Sequence, residues 1–217
     1  MNLIKIYLSL SKKYGRQDWW PVLDIKISRD QEDKILRKKI CVNNEKNMFE
    51  VCLGAILTQN TNWGNVERAI YKLKKERILS PRKILNISPI KLRGLIRSSG
   101  YYNEKAKKLK AYSLWLMENY QGSLKKFFKK PLKKCREELL AVHGIGPETA
   151  DSILLYAGGK PSFVIDAYTR RLCKKYGVEF KTYNEYKEYF EKRLPKSYKL
   201  YNEFHALIVC WGKEKGK

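Results

Sequence analysis

The chain of 217 residues carries 46 Lys+Arg against 22 Asp+Glu, a formal net charge of +24. That length can bury a real core as one large domain or two small ones, and the charge favours a polyanionic partner through counterion release. No apolar run approaches membrane-spanning length, and the five cysteines, at 41, 52, 135, 173 and 210, form no Cys-x-x-Cys pair or cluster, which argues against a metal site built from them.

Leu3, Ile6, Leu10 and Tyr14 recur at helical spacing, and Lys5 interrupts the apolar start, so an amphipathic helix is expected there and not a signal peptide. The run Phe49 to Leu57 predicts a helix buried on most sides, ending at a polar turn, Thr58-Gln59-Asn60-Thr61-Asn62. Val66, Ile70 and Leu73 begin another amphipathic helix. Ser80-Pro81 and Ser88-Pro89 each read as a cap followed by proline at the first helical position, and Gly100 closes the helix that starts at Pro89. Lys105 to Tyr120 presents Leu109, Tyr112, Leu116 and Tyr120 on one face. A helix from Thr149 to Tyr156 is stopped by Gly158-Gly159-Lys160-Pro161, and Phe163-Val164-Ile165 reads equally as a short strand or an extended connector. No period-two run is long enough for a sheet, so the expected class is all-α. Scattered cysteines and the lack of a leader fit a soluble, cytoplasmic, nucleoid-associated protein without a membrane partner.

The most informative stretch is Leu139 to Ala150, which contains His143-Gly144-Ile145-Gly146-Pro147-Glu148-Thr149 and is followed by Asp166. Two glycines flank one apolar residue between helical patterns, and Pro147 sits where the second helix should begin. Such a hairpin exposes backbone N–H groups at a helix N-terminus, a ready phosphate site, and the glycines let the chain approach a ligand closely. Charge and hairpin together point to nucleic acid.

Residues from about Phe49 to Val209 resemble the helix-hairpin-helix DNA glycosylases of the endonuclease III superfamily. The likeness rests on Ala55 to Thr61, on Gly100-Tyr101-Tyr102-Asn103-Glu104-Lys105-Ala106, on the hairpin, and on Val164-Ile165-Asp166-Ala167-Tyr168-Thr169-Arg170-Arg171, in the family's order. Trp19-Trp20-Pro21 and the run Leu53 to Thr61 look most like the endonuclease III-type 3-methyladenine DNA glycosylases. The resemblance implies two helical lobes with the active site in the cleft between them. A six-helix barrel would span 41–160, with the helix-hairpin-helix at 139–157, and residues 1–40 plus 161–217 would form the second lobe. The implied partner is double-stranded DNA holding a damaged base, bound by a monomer.

The resemblance also assigns roles. Asp166 falls on the family's catalytic aspartate, which would stabilise an oxocarbenium-like sugar and orient or deprotonate water; an aspartate there also suits a helix N-cap. Glu148 stands where members that cut the backbone hold a Schiff-base lysine, which implies a monofunctional enzyme without lyase activity; an acid there also suits the first helical turn. Asp151, one turn on, reads as a solvated helix residue. Trp19, Trp20, Pro21 and Phe49 are the implied base pocket, suited to electron-poor alkylated purines, although one tryptophan could equally anchor a core. Gln59, Asn60 and Thr61 are the implied duplex-inserting loop. His143, Gly144, Ile145, Gly146, Thr149 and Arg170 are implied to face the DNA backbone, with room for an alkali cation at the loop carbonyls. Adenine-type members place a glutamate where this chain has Gly54, and iron–sulfur members carry four cysteines after the last helix where this chain has Cys210, so no cofactor and no cluster are expected. The leading expectation is a glycosylase for alkylated bases such as 3-methyladenine. A glycosylase for an oxidised or mismatched base, or a non-catalytic DNA-binding module, stand as alternatives.

Overall fold

The computed structural model describes residues 1–26, 34–39 and 44–215. Helix α1 (Leu3–Tyr14) starts at Asn2, whose side chain accepts from the Lys5 amide, and buries Leu3, Ile6 and Leu10. It packs along α12 (Tyr198–Lys215), where Lys13 meets Glu214 at 2.6 Å. Next comes a two-stranded antiparallel hairpin, β1 (Pro21–Lys26) and β2 (Lys34–Lys39), with Pro21 opposite Lys39 and Lys26 opposite Lys34. No period-two pattern announces it. The adjacent Val22 and Leu23 are both buried, so the alternation that marks a strand is absent. The two lobes are nonetheless all-α, and the hairpin is an appendage to them.

Helix α2 (Glu45–Leu57) is the axis of the core: every residue from Met48 to Leu57 is buried. Glu50 is buried with them because it has work to do. One carboxylate oxygen accepts from the Leu23 amide at 2.8 Å, and the other pairs with Lys74 of α3 (Trp63–Lys75). The hairpin is thereby pinned to α2 and α3. Burial pushes the Glu50 carboxyl above its ordinary range, against the pull of Lys74 and the Leu23 amide.

Around α2 stand α4 (Pro81–Asn86), α5 (Pro89–Ile96), α6 (Tyr102–Tyr120), α7 (Leu124–Phe128) and α8 (Leu132–Ala141). Ser88 caps α5 through the Lys91 amide, whereas Ser80 makes no side-chain cap bond. Helix α6 begins three residues earlier than the apolar pattern indicated. Helix α9 (Pro147–Ser152) runs on into a π-helical turn, Ile153–Ala157. Phe163 to Ile165 is extended but unpaired, a connector to α10 (Ala167–Lys175), α11 (Tyr183–Arg193) and α12. No helix among the described residues is long and apolar enough to cross a membrane.

Two buried charges hold this arrangement. Asp151, far from being solvated, is fully buried: Arg136 of α8 grips it through two bonds of 2.9 and 3.2 Å, Ser162 donates at 2.7 Å, and Lys187 of α11 lies 3.1 Å away. The periodicity of so short a helix could not reveal which face it would bury. Lys105 donates from α6 to the Leu57 carbonyl at 2.8 Å and the Ser99 carbonyl at 2.6 Å, tying off the end of α2. Burial lowers its ammonium to about 8, with Lys108 adding repulsion.

The unfolded lysine keeps its proton up to about 10.5, so from pH 8 upward the unfolded chain binds a proton that the folded one releases. Stability should therefore rise through that window by at most about 1.4 kcal/mol per pH unit. Denaturation midpoints at pH 8 and pH 9.5 should rise in the wild type relative to Lys105→Met; parallel changes in both proteins would contradict this.

Candidate active site

The hairpin turn follows α8 as expected. Gly144 takes φ +82°, a left-handed conformation, and a Cβ there would run into the aliphatic stem of Lys108, so glycine is required twice over. Ile145 is buried and its amide bonds to the Val142 carbonyl, so its side chain anchors the turn in the core and does not reach a ligand. His143, Gly146 and Pro147 are exposed. Thr149, expected to face a phosphate, is buried instead, and its hydroxyl accepts from Gln59 at 3.0 Å. The Arg170 guanidinium lies 4.7 Å over the Tyr186 ring.

That bond corrects the reading of the α2–α3 turn as well. Gln59 also donates to the Gly144 carbonyl at 3.1 Å and accepts from Lys108 at 2.5 Å. With all its polar atoms engaged, it links the turn to the hairpin and lines the cavity. Thr61 accepts from Asn65 at 2.9 Å. Asn60 alone of the three is exposed at the tip, with φ +53°.

Between these elements lies a cavity of about 530 Å3, lined by Trp19, Trp20, Pro21, Gln59, Trp63, Glu148, Asp166, Tyr168, His205 and Lys213 among others. Asp166 caps α10, accepting from the Thr169 amide at 2.7 Å, and its second oxygen lies 3.5 Å from His205 Nε2. Burial works to raise this carboxyl, but the fields and bonds of His205 and Thr169 outweigh it and hold it below its ordinary value. Glu148 is pushed the other way, first by desolvation in the cavity wall and then by the charge of Asp166. Two carboxylates in one cavity are thus driven apart, which is how a site assigns different duties to like groups.

The aromatic wall is larger than the sequence indicated. Trp20 is buried, with ring centroids 5.0 Å from Trp63 and 5.1 Å from Tyr156, both edge-on or tilted, and Trp19 stands 6.0 Å from Trp20. Trp20 lies directly over Gly54: a Cβ there would stand 3.2 Å from its ring. Lys213 Nζ sits 5.8 Å over Trp19. Phe49 does not belong to this wall. It is buried on another face of α2 and stacks with Tyr112 at 6.3 Å, because the turn of the helix that aims Ala55, Thr58 and Gln59 at the cavity aims Phe49 at α6. Trp63, Tyr156, Tyr168, His205 and Lys213 escaped the sequence reading. Each sits at helical spacing among core residues, and nothing local marks which face will meet a cleft.

Among the described residues no group of three or more His, Cys, Asp or Glu could hold a metal ion. Cys52, Cys135 and Cys173 are each buried apart, which does not fit a four-thiolate cluster, while Cys41 lies outside the described residues.

A paired-carboxylate cleft beside a helix-hairpin-helix defines an enzyme that works on a nucleotide drawn out of DNA. Residues 53–196 match the model of the HhH-GPD superfamily of base excision DNA repair proteins, and the chain belongs to that family as a DNA glycosylase. It is 46% identical over 211 residues, 95% of its length and 85% of the relative's, to a Methanocaldococcus jannaschii protein named provisionally as a DNA repair glycosylase. It is 30% identical to Thermotoga maritima endonuclease III, across 79% of this chain and 76% of that one. The H. pylori 3-methyladenine DNA glycosylase MagIII, solved with 1,N6-ethenoadenine, superposes with a TM-score of 0.79 at 30% identity, covering 99% of both chains. An endonuclease III trapped covalently on DNA shares the fold at a TM-score of 0.72 and 19% identity, covering 100% of this chain and 89% of that one.

Proposed function

We propose that the protein is a monofunctional glycosylase that excises alkylated purines, 3-methyladenine foremost, and stops at the abasic site. The observation that carries this reading is the cavity itself: aromatic faces from Trp19, Trp20 and Trp63 beside two carboxylates. An N-alkylated purine is electron-poor and often cationic, so ring faces attract it by dispersion and cation–π forces, and negative charge nearby favours it further. Such a base leaves easily, so the site needs little acid to protonate it. The likeness to MagIII supports the same substrate class.

In this reading Asp166 stabilises the sugar cation and steers water, and the exposed Asn60 fills the gap left by the flipped nucleotide. Residues 41–160 would form the barrel lobe and the remainder the other. Glu148 occupies the place of the Schiff-base lysine. A carboxylate cannot form that adduct, which leaves water as nucleophile. Among the described residues one lysine lines the cavity, Lys213, whose Nζ sits 5.8 Å over the Trp19 ring.

Two measurements test this together. Methylated duplex DNA should release free 3-methyladenine, with a 1,N6-ethenoadenine duplex as the second substrate to try. Borohydride added during turnover should trap no protein–DNA adduct. Release of an oxidised pyrimidine alone would overturn the substrate class, and a trapped adduct would overturn the hydrolytic mechanism.

A further inference from the structure

His205 has no role in the reading above, yet it is buried at the cavity wall with both ring nitrogens facing polar partners. Nδ1 lies 2.5 Å from the Tyr156 hydroxyl and Nε2 3.5 Å from the free oxygen of Asp166. The three residues come from different elements: α12, the π turn after α9, and the cap of α10. Trp19 and Tyr156 pack their rings against the imidazole at 6.3 and 5.9 Å, which fixes its plane.

The chemistry of the partners decides where the imidazole carries its proton. Tyr156 is buried, and burial first, then the charges of Asp166 and Glu203, push its ionisation well above the ordinary range, so it remains a neutral O–H. A neutral imidazole offers one donor and one acceptor. With the proton on Nδ1, the bare lone pair of Nε2 would face the lone pairs of the Asp166 carboxylate, which is repulsive in a site screened from water. With the proton on Nε2, Tyr156 donates to Nδ1 and the Nε2–H points at Asp166. Protonation to imidazolium leaves that Nε2–H in place. In either charge state the edge that meets Asp166 is a donor, and Nε2, 3.5 Å from that carboxylate, makes no hydrogen bond in the protein.

We propose that His205, held in its Nε2–H form by Tyr156, is a positioning residue for the glycosylase reaction: it orients the Asp166 carboxylate and keeps it ionised. The proposal rests on the reading of Asp166 as the catalytic carboxylate. Thr169 fixes one oxygen of that carboxylate, and a single cap leaves its plane free to turn. His205 Nε2–H, 3.5 Å away, draws the second by charge and N–H dipole, while each oxygen keeps a further lone pair for the reacting atoms. In the step itself, water oxygen bonds to the sugar C1′ and the N-glycosidic bond breaks with its electron pair on the departing base. The water proton passes to Asp166 and then to solvent, and His205 is unchanged. Burial and then the charge of Asp166 raise Glu148 of α9, which His205 and Arg170 of α10 pull the other way; Glu203 of α12 acts on Tyr156, and Lys213 of α12 lines the same cavity. Without His205, burial would act on Asp166 with the Thr169 contacts left to oppose it.

The test is single-turnover base release from methylated duplex DNA between pH 4.5 and 9, with enzyme-free release subtracted. Binding to a duplex with an abasic-site analogue serves as the control. In the wild type the rate should fall only at the acid end of this range. In His205→Leu the acid limb should move up by about one unit or more, with the rate near pH 5.5 down about tenfold relative to its own value at pH 8 and abasic-site binding within about threefold of wild type. His205→Gln, which restores an N–H donor, should recover part of the lost rate. Tyr156→Phe should move the limb in the same direction but less, because the imidazole remains while its tautomer is released. An unmoved limb in both His205→Gln and Tyr156→Phe, or in a folded His205→Leu, would overturn the proposal. Full activity in Asp166→Asn would instead overturn the reading of Asp166, and this proposal with it.

Discussion

Base release by an Asp166→Asn variant is expected to fall by about 100-fold or more at pH 7, within the span that a positioned acid–base group contributes. The variant conserves shape and removes only charge and basicity, so the loss reports chemistry. Asp166 also caps α10 through the Thr169 amide, and an amide in its place cannot serve both neighbours. One orientation sets its N–H against the Thr169 N–H, and the other sets it against the Nε2–H of His205. A modest stability cost of about 1 kcal/mol is expected from that mismatch. Melting temperature and affinity for abasic-site DNA separate the two effects. If both stay near wild type while base release disappears, the carboxylate acts on the sugar. If base release survives, Asp166 is a helix cap and no more.

Asp151→Ala is expected to destabilise the fold by about 3–5 kcal/mol, the cost of leaving buried cations without their counter-charge. The aspartate is fully buried between Arg136 and Lys187, and Ser162 completes its shell. Removing it strands the Arg136 guanidinium, left with its bond to Asn184 at 3.2 Å, and leaves Lys187 with Glu191, at 2.8 Å, as its remaining counter-charge. Adding Lys187→Met should restore part of the loss, because it removes one of the two cations that Asp151 balanced. Urea denaturation of the single and double variants measures both terms. A single-variant loss under about 1 kcal/mol would show that water reaches and satisfies the cluster. The large effect of Asp151 falls on the fold, whereas that of Asp166 falls on the reaction.

What the sequence could show follows from the range of the interactions involved. The helix-hairpin-helix, the cap at Asp166 and the start of α5 are written in adjacent residues, because backbone conformation at Gly144 and side-chain capping at Ser88 act within a few positions. The buried helix α2 was legible for the same reason: ten consecutive buried residues leave no polar face. The rest of the site was not. His205 and Tyr156 meet across 49 positions, and Gln59 bonds to Thr149 across 90. Gln59 in a polar turn and Phe49 at the start of a helix carry no local mark of where they point. Only the packing of α2 against α6 turns Phe49 toward Tyr112 and away from the cleft.

The contact between Gly54 and Trp20 couples the two positions across the cavity wall. Any side chain at 54 would press on the indole, whose nearest ring atom would be 3.2 Å from a new Cβ. A side chain as long as glutamate there would need the space the indole now fills. The two positions, 34 residues apart in the chain, are therefore bound into a single evolutionary step. Drift at one is conditional on the state of the other, so a side chain at 54 requires the indole to shift or to be replaced.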